Sequence, residues 1–156
     1  KKSRKCYNKL KKKLPEYIVS FPIKKIEITN AIIAGQHNLK NIIKIVHPEV
    51  RSCMNNFVKK NKNKKFVVLD IPLLMENKIN KKNDILVFVD AKKKEINKRL
   101  KKRSNFNLKV VNKFKKIQFS VEIKKKQSDY IIKNNFKNNS VKKNVKKVLE
   151  KVLLNA

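Results

Sequence analysis

A single glycine, Gly35, stands in the 156 residues, flanked by apolar residues at helical spacing. A loop that cradles phosphate with successive backbone N–H groups needs glycines at fixed intervals, so the pattern Gly-x-x-x-x-Gly-Lys-Ser/Thr is excluded from this stretch. Cysteine is nearly as scarce: Cys6 and Cys53 lie far apart with no Cys-x-x-Cys spacing. Neither a zinc site nor a disulfide framework is signalled, and free thiols in a reducing compartment are expected. His37 and His47 are out of metal-ligand register with each other, and no metal ligand is expected. Gly-x-Ser-x-Gly and His-Glu-x-x-His are missing too, so hydrolase and metalloenzyme chemistry has no carrier. The longest apolar run, Phe66 to Met75, is broken by Asp70 and falls short of the roughly 18 residues a membrane span requires. No signal-peptide pattern is found, and a cytoplasmic location without a membrane partner is expected.

Acidic residues are the other shortage, with 11 Asp and Glu against 43 Lys and Arg, a formal net charge of +32. Such a field attracts any polyanion. Only four of the basic residues are arginine, however (Arg4, Arg51, Arg99, Arg103), while lysine and asparagine fill the polar positions from end to end. Specific phosphate readers favour the forked guanidinium, which pairs two oxygens at once. The dispersed lysine therefore implies weak, non-specific polyanion binding and no specific nucleic-acid partner.

Hydrophobic residues make up 40% of the chain, enough for a real core. Over the first sixty or so residues Tyr17, Ile18, Ile26, Ile28, Ile32, Ile33, Leu39, Ile42, Ile43, Ile45 and Val46 recur at near-helical spacing, with breaks at Pro15, Pro22 and Gly35. Pro48 suits the first turn of a further helix carrying Val50, Met54, Phe57 and Val58 on one stripe. The pattern then changes. Phe66-Val67-Val68-Leu69 ends in Asp70, and Ile85-Leu86-Val87-Phe88-Val89 ends in Asp90, as expected of parallel strands buried on both faces. Tyr130-Ile131-Ile132 is a third, weaker candidate. Helices are expected over 91–103, with Asp90 as N-cap, over 108–118, and from Ser140 onward. Alternating strands and helices give an α/β class with a parallel sheet, in which ligands sit at the C-terminal ends of the strands, near Asp70 and Asp90.

Arg99 and Arg103 draw attention in a chain that otherwise uses lysine. At i, i+4 they are expected to set two guanidiniums on one helical face, as a clamp on a transferring phosphoryl group requires. The bland alternative is an i, i+4 ion pair of Glu95 with Arg99 on a solvated helix.

The segment Val67-Val68-Leu69-Asp70-Ile71-Pro72-Leu73-Leu74-Met75-Glu76 is similar to the V-V-L-D-I-P-L-L-F-E signature of dephospho-coenzyme A kinases, with methionine for phenylalanine at 75. Val46-His47-Pro48-Glu49-Val50-Arg51 resembles that family's V-H-P-x-V-R element. Lys98 to Arg103 resembles its R-L-x-x-R element, Gln118 its lone lid glutamine, and Ser128 to Asn134 its A-D-Y-V-I-x-N strand. Order and spacing agree over nearly the whole chain.

The resemblance implies an incomplete P-loop kinase parallel sheet with flanking helices, a helical substrate layer (1–62), lid-side helices (91–128) and the rest of the nucleotide-kinase core (63–90 and 129–156). It implies ATP and Mg2+ as cofactors and dephospho-coenzyme A as substrate, phosphorylated on its ribose 3'-hydroxyl. His47, Asp70, Pro72, Leu73 and Glu76 are expected on the substrate side. Arg99, Arg103 and Asn134 are expected on the nucleotide side, with Arg103 as the transition-state clamp. The family's P-loop and presumed catalytic aspartate have no counterpart here, and are expected to precede Lys1, so these residues alone are expected to be inactive. A start at Lys1 rather than Met fits a partial reading frame. The rivals are another small P-loop nucleoside or nucleotide kinase, against which the I-P-L-L-M-E and His-Pro elements argue, and a basic RNA-associated protein.

Overall fold

Helix α1 (Arg4–Lys13) begins where the Ser3 hydroxyl accepts the Cys6 N–H at 3.1 Å, satisfying one of the donors that every helix start leaves open. It is the first element of a computed structural model that describes residues 3–155. The chain divides into two compact units, Lys1–Ile71 and Pro72–Ala156.

The first unit adds α2 (Lys25–Ala34) and α3 (Gln36–Lys60), separated at Gly35 as the sequence implies. Both α1 and α2 pack on α3. Leu10, Leu14, Ile18, Ala31, Ile32, Leu39 and Ile42 are buried there. The buried Glu27 carboxylate closes the loop between α1 and α2: it accepts the N–H groups of Val19 and Ser20 at 3.1 and 3.3 Å, and the Ser20 hydroxyl as well. That hydroxyl bond is the main reason its pKa lies below the ordinary carboxylate value.

Pro48 does not open a separate helix. Helix α3 runs for 25 residues through it. A proline inside a helix costs the bond to the carbonyl four residues back. Pro48 and Lys44 are both exposed, so water can take up the acceptor that is freed.

Phe66 to Asp70 is not a strand either, but irregular backbone with Val68 88% exposed. Apolar, β-branched residues favour extended structure, yet a strand is defined by ladder bonds to a neighbour. None is formed here among the described residues.

The second unit holds β1 (Val87–Asp90), α4 (Lys93–Lys101), α5 (Leu108–Ile117), α6 (Val121–Lys126), β2 (Tyr130–Lys133) and α7 (Asn138–Leu154). Strands β1 and β2 pair in parallel, Val87 opposite Tyr130 and Asp90 opposite Lys133, with three helices in the crossover. Asn107 and Ser120 cap α5 and α6 through bonds from the Val110 and Ile123 N–H groups. Helix α7 packs on β2. The fold is thus mixed α/β with a small parallel sheet. Burial on both faces is not realised, because Val87 and Val89 in β1 are 43% and 54% exposed and Ile131 in β2 is 43% exposed. No helix among the described residues is long and apolar enough to cross a membrane.

Candidate functional site

The C-terminal ends of β1 and β2 place Asp90 and Asn134 side by side: the Asn134 N–H donates to the Asp90 carbonyl at 2.7 Å. Asp90 does not cap the following helix as expected. Helix α4 starts two residues later, after Lys92, which makes no side-chain cap, and the Asp90 carboxylate instead takes the Lys125 ammonium at 2.7 Å. The Asn134 side-chain oxygen accepts the Phe136 N–H at 2.8 Å. This Asx turn holds Phe136 at φ 62°, the left-handed region that bulky residues rarely occupy.

Arg99 projects from α4 so that its guanidinium lies 3.9 Å from the centroid of the Phe136 ring, close enough for a cation–π attraction. The structure therefore brings Arg99 and Asn134 together around Phe136. An open cavity of about 540 Å³ adjoins them, lined by Phe136, Lys137, Asn138, Asn139 and Ser140. Arg103 does not share a helical face with Arg99, because α4 ends at Lys101 and Arg103 sits exposed in the turn beyond, its N–H on the Leu100 carbonyl at 3.1 Å. The lysine- and asparagine-rich stretch around it offers little to extend α4 further, with no buried residue on that helix.

Pro72, Leu73 and Glu76 form a second cluster in the same unit. The 72–79 segment is a compact turn with Leu73 at φ 56° and Lys78 at φ 48°, tied internally by Asn77 Nδ2 to the Leu73 carbonyl at 2.8 Å and the Ile79 N–H to the Leu74 carbonyl at 3.2 Å. The Glu76 side chain is only 8% exposed, and its Oε1 accepts both the Lys124 ammonium at 2.9 Å and the Phe119 N–H at 2.9 Å. Burial pushes the Glu76 carboxyl pKa up, but the bonds from Lys124 and from backbone N–H groups outweigh it and hold the value below 4.5.

A carboxyl whose pKa is depressed by folding stabilises the native state above its unfolded value, and that contribution is lost as pH falls through the folded value. The stability difference between the wild-type chain and Glu76→Gln should accordingly be largest at neutral pH and shrink as pH drops from about 5 toward 3. Urea titrations of both proteins across that range measure it, and a difference that stays constant with pH would contradict the ionic role.

In the first unit His47 and Arg51 lie one turn apart on α3. Partial burial, then the charge of Arg51, lowers the His47 pKa from the ordinary histidine value. Asp70 lies exposed in irregular backbone.

Lys124, Lys125, Phe119 and Phe136 were not singled out by sequence reasoning. The two lysines sit in a run of three among 43 basic residues. What could have marked Lys124 is its position four residues after the Ser120 cap, one turn along α6.

Compared with known proteins, residues 2–140 match the family model described as dephospho-CoA kinase. The chain belongs to the dephospho-CoA kinase family. It is 33% identical over 123 residues to a dephospho-CoA kinase of Wolbachia pipientis wMel, a match covering 78% of this chain and 63% of the relative. A dephospho-CoA kinase of Rickettsia conorii is 34% identical over 121 residues, covering 78% and 62%. One from Bartonella quintana is 27% identical over 133 residues, covering 84% and 68%. The chain thus spans less than two thirds of the length of the first two of these dephospho-CoA kinases.

Proposed function

We infer that this chain supplies the substrate side and the lid side of an ATP-dependent kinase that phosphorylates the ribose 3'-hydroxyl of dephospho-CoA, the last step of coenzyme A synthesis. The observation that carries the reading is the family match over residues 2–140, which takes in the signature Val67 to Glu76.

Residues 1–62 form the substrate layer, with His47 on α3. Asp70 and, in the 72–79 turn, Pro72, Leu73 and Glu76 serve the substrate side, and residues 91–128 form the lid side. The remainder of the nucleotide core comprises residues 63–90 and 129–156. Arg99 and Asn134, held together around Phe136 beside the α7 N-terminus, suit the nucleotide. An exposed guanidinium at Arg103 is free to swing toward a transferring phosphoryl group and balance its developing charge. ATP supplies the phosphoryl group. Its triphosphate cradle is not among these residues, since one glycine cannot build the P-loop. No group of three or more His, Cys, Asp or Glu side chains among the described residues can hold a metal. Magnesium is held largely by the phosphates of a bound nucleotide and needs few protein ligands, and no step is routed through the ion.

Two preparations test this reading: the 156-residue chain alone, and the same chain joined behind a P-loop-bearing N-terminal segment taken from an active dephospho-CoA kinase. The joined protein should form coenzyme A from dephospho-CoA and ATP, while the chain alone forms none above background. A joined protein that folds, binds ATP and leaves dephospho-CoA untouched would overturn the reading.

A further inference from the structure

Two segments distant in sequence meet at one oxygen atom. The turn from Pro72 to Ile79 carries most of the family signature, and the Gln118–Phe119 corner joins the two lid-side helices α5 and α6. Glu76 Oε1 accepts from both the Phe119 N–H and Lys124, at 2.9 Å each, so the carboxylate holds the corner by its backbone and α6 by a side chain at once. Gln118, the residue that carries the lid resemblance, is the immediate neighbour of the amide so held. Met75 and Phe119 also share the wall of a cavity of about 440 Å³ beside this contact, together with Lys78, Asn80, Leu86 and Gln127.

The turn has reason to need an anchor. Leu73 and Lys78 occupy left-handed backbone at φ 56° and 48°, a conformation that residues with a side chain adopt only at a cost. Internal bonds from Asn77 and Ile79 set the turn's local shape. The partly buried, charge-assisted pair at Glu76 ties it to another segment, and such bonds are roughly twice as strong as neutral ones.

We propose that Glu76 is a positioning residue that locks the substrate-side turn to the lid corner, so that Pro72–Ile79 and Gln118–Phe119 move as one body in the kinase cycle. This assignment rests on the proposed kinase function for its meaning, but the lock itself is a property of the chain and is read without turnover. In the cycle it keeps Gln118 in one place relative to the substrate turn while the rest of the lid moves. Glu76 thereby acts through Phe119 and Gln118.

Amide hydrogen exchange on the full 156-residue chain tests the lock. In Glu76→Ala and in Lys124→Ala, the Phe119 amide and the turn amides of Asn77 and Ile79 should exchange together, about tenfold or more faster than in the wild type. The amides of Tyr130 in β2 and of Asn134 just beyond it should be unchanged. The double variant should be no faster than Glu76→Ala alone, and the reversed pair, Glu76→Lys with Lys124→Glu, should recover part of the protection. Faster exchange at Phe119 with the turn unaffected would overturn the lock, as would uniform acceleration that includes the strands, the mark of a merely structural residue. Lack of kinase activity in the joined protein would overturn the functional reading and leave these exchange rates as they are.

Discussion

Hydrogen exchange of the isolated 156-residue chain should separate its two units, with core amides of α1 to α3 protected at least about a hundredfold more strongly than those of β1 and β2. The difference follows from where the core lies. Leu10, Ile18 and Leu39 are 2%, 0% and 1% exposed, and among the described residues every buried apolar residue but one belongs to the first unit. Among the described residues of the second unit only Val152 falls in that class, while Val87, Val89, Ile131, Val145 and Leu149 are all between 43% and 54% exposed. Apolar area left in water contributes nothing to stability, at about 25 cal/mol for each Å² not buried. A parallel pair with two open edges adds unpaired N–H and C=O groups and a template for association. Thermal melting of the chain should accordingly be broad, with aggregation from the second unit. A single sharp transition by every probe, with equal protection in both units, would contradict this.

The second large effect concerns Arg103. In the protein joined to a P-loop segment, Arg103→Lys should lower kcat about a hundredfold, the scale expected when one preorganised donor to a developing charge is lost. Lysine keeps the charge but not the planar fork that meets two phosphoryl oxygens. Stability should change by no more than about 0.5 kcal/mol, as for other surface positions, because Arg103 is exposed and lies beyond the end of α4. Normal turnover with a lowered melting temperature would instead make Arg103 part of a structural contact.

The contrast between Arg99 and Arg103 shows what could be read from the sequence. Their i, i+4 spacing is correct for a helix, but spacing does not say where a helix stops. That depends on burial, which α4 lacks. Gly35 and the apolar runs at Val87 and Tyr130 were legible because breaks and β-branched clusters act locally. Phe66 to Asp70 has the same local preference and forms no strand, since pairing is a property of the neighbour and not of the run. Pro48 misled for a similar reason: its local signal to start a helix is overridden by continuous α3 turns on either side.

The site was legible as residue types and illegible as contacts. Asp90 reads as a cap until its partner Lys125 is seen, and Glu76 reads as a substrate-side residue until Lys124 and the Phe119 amide are found on it. In a chain with 43 basic residues, nothing in the sequence distinguishes Lys124 and Lys125, which pair with Glu76 and Asp90, from those that face water.

The most direct test of the account is the position of the phosphate in the product formed from ATP by the chain joined to a P-loop segment of an active dephospho-CoA kinase, offered dephospho-CoA and nucleoside monophosphates together. Phosphorus NMR and mass spectrometry should find a new monoester on the ribose 3'-hydroxyl of dephospho-CoA and the nucleotides unchanged. Diphosphate formed from a nucleoside monophosphate, with dephospho-CoA recovered intact, would contradict it.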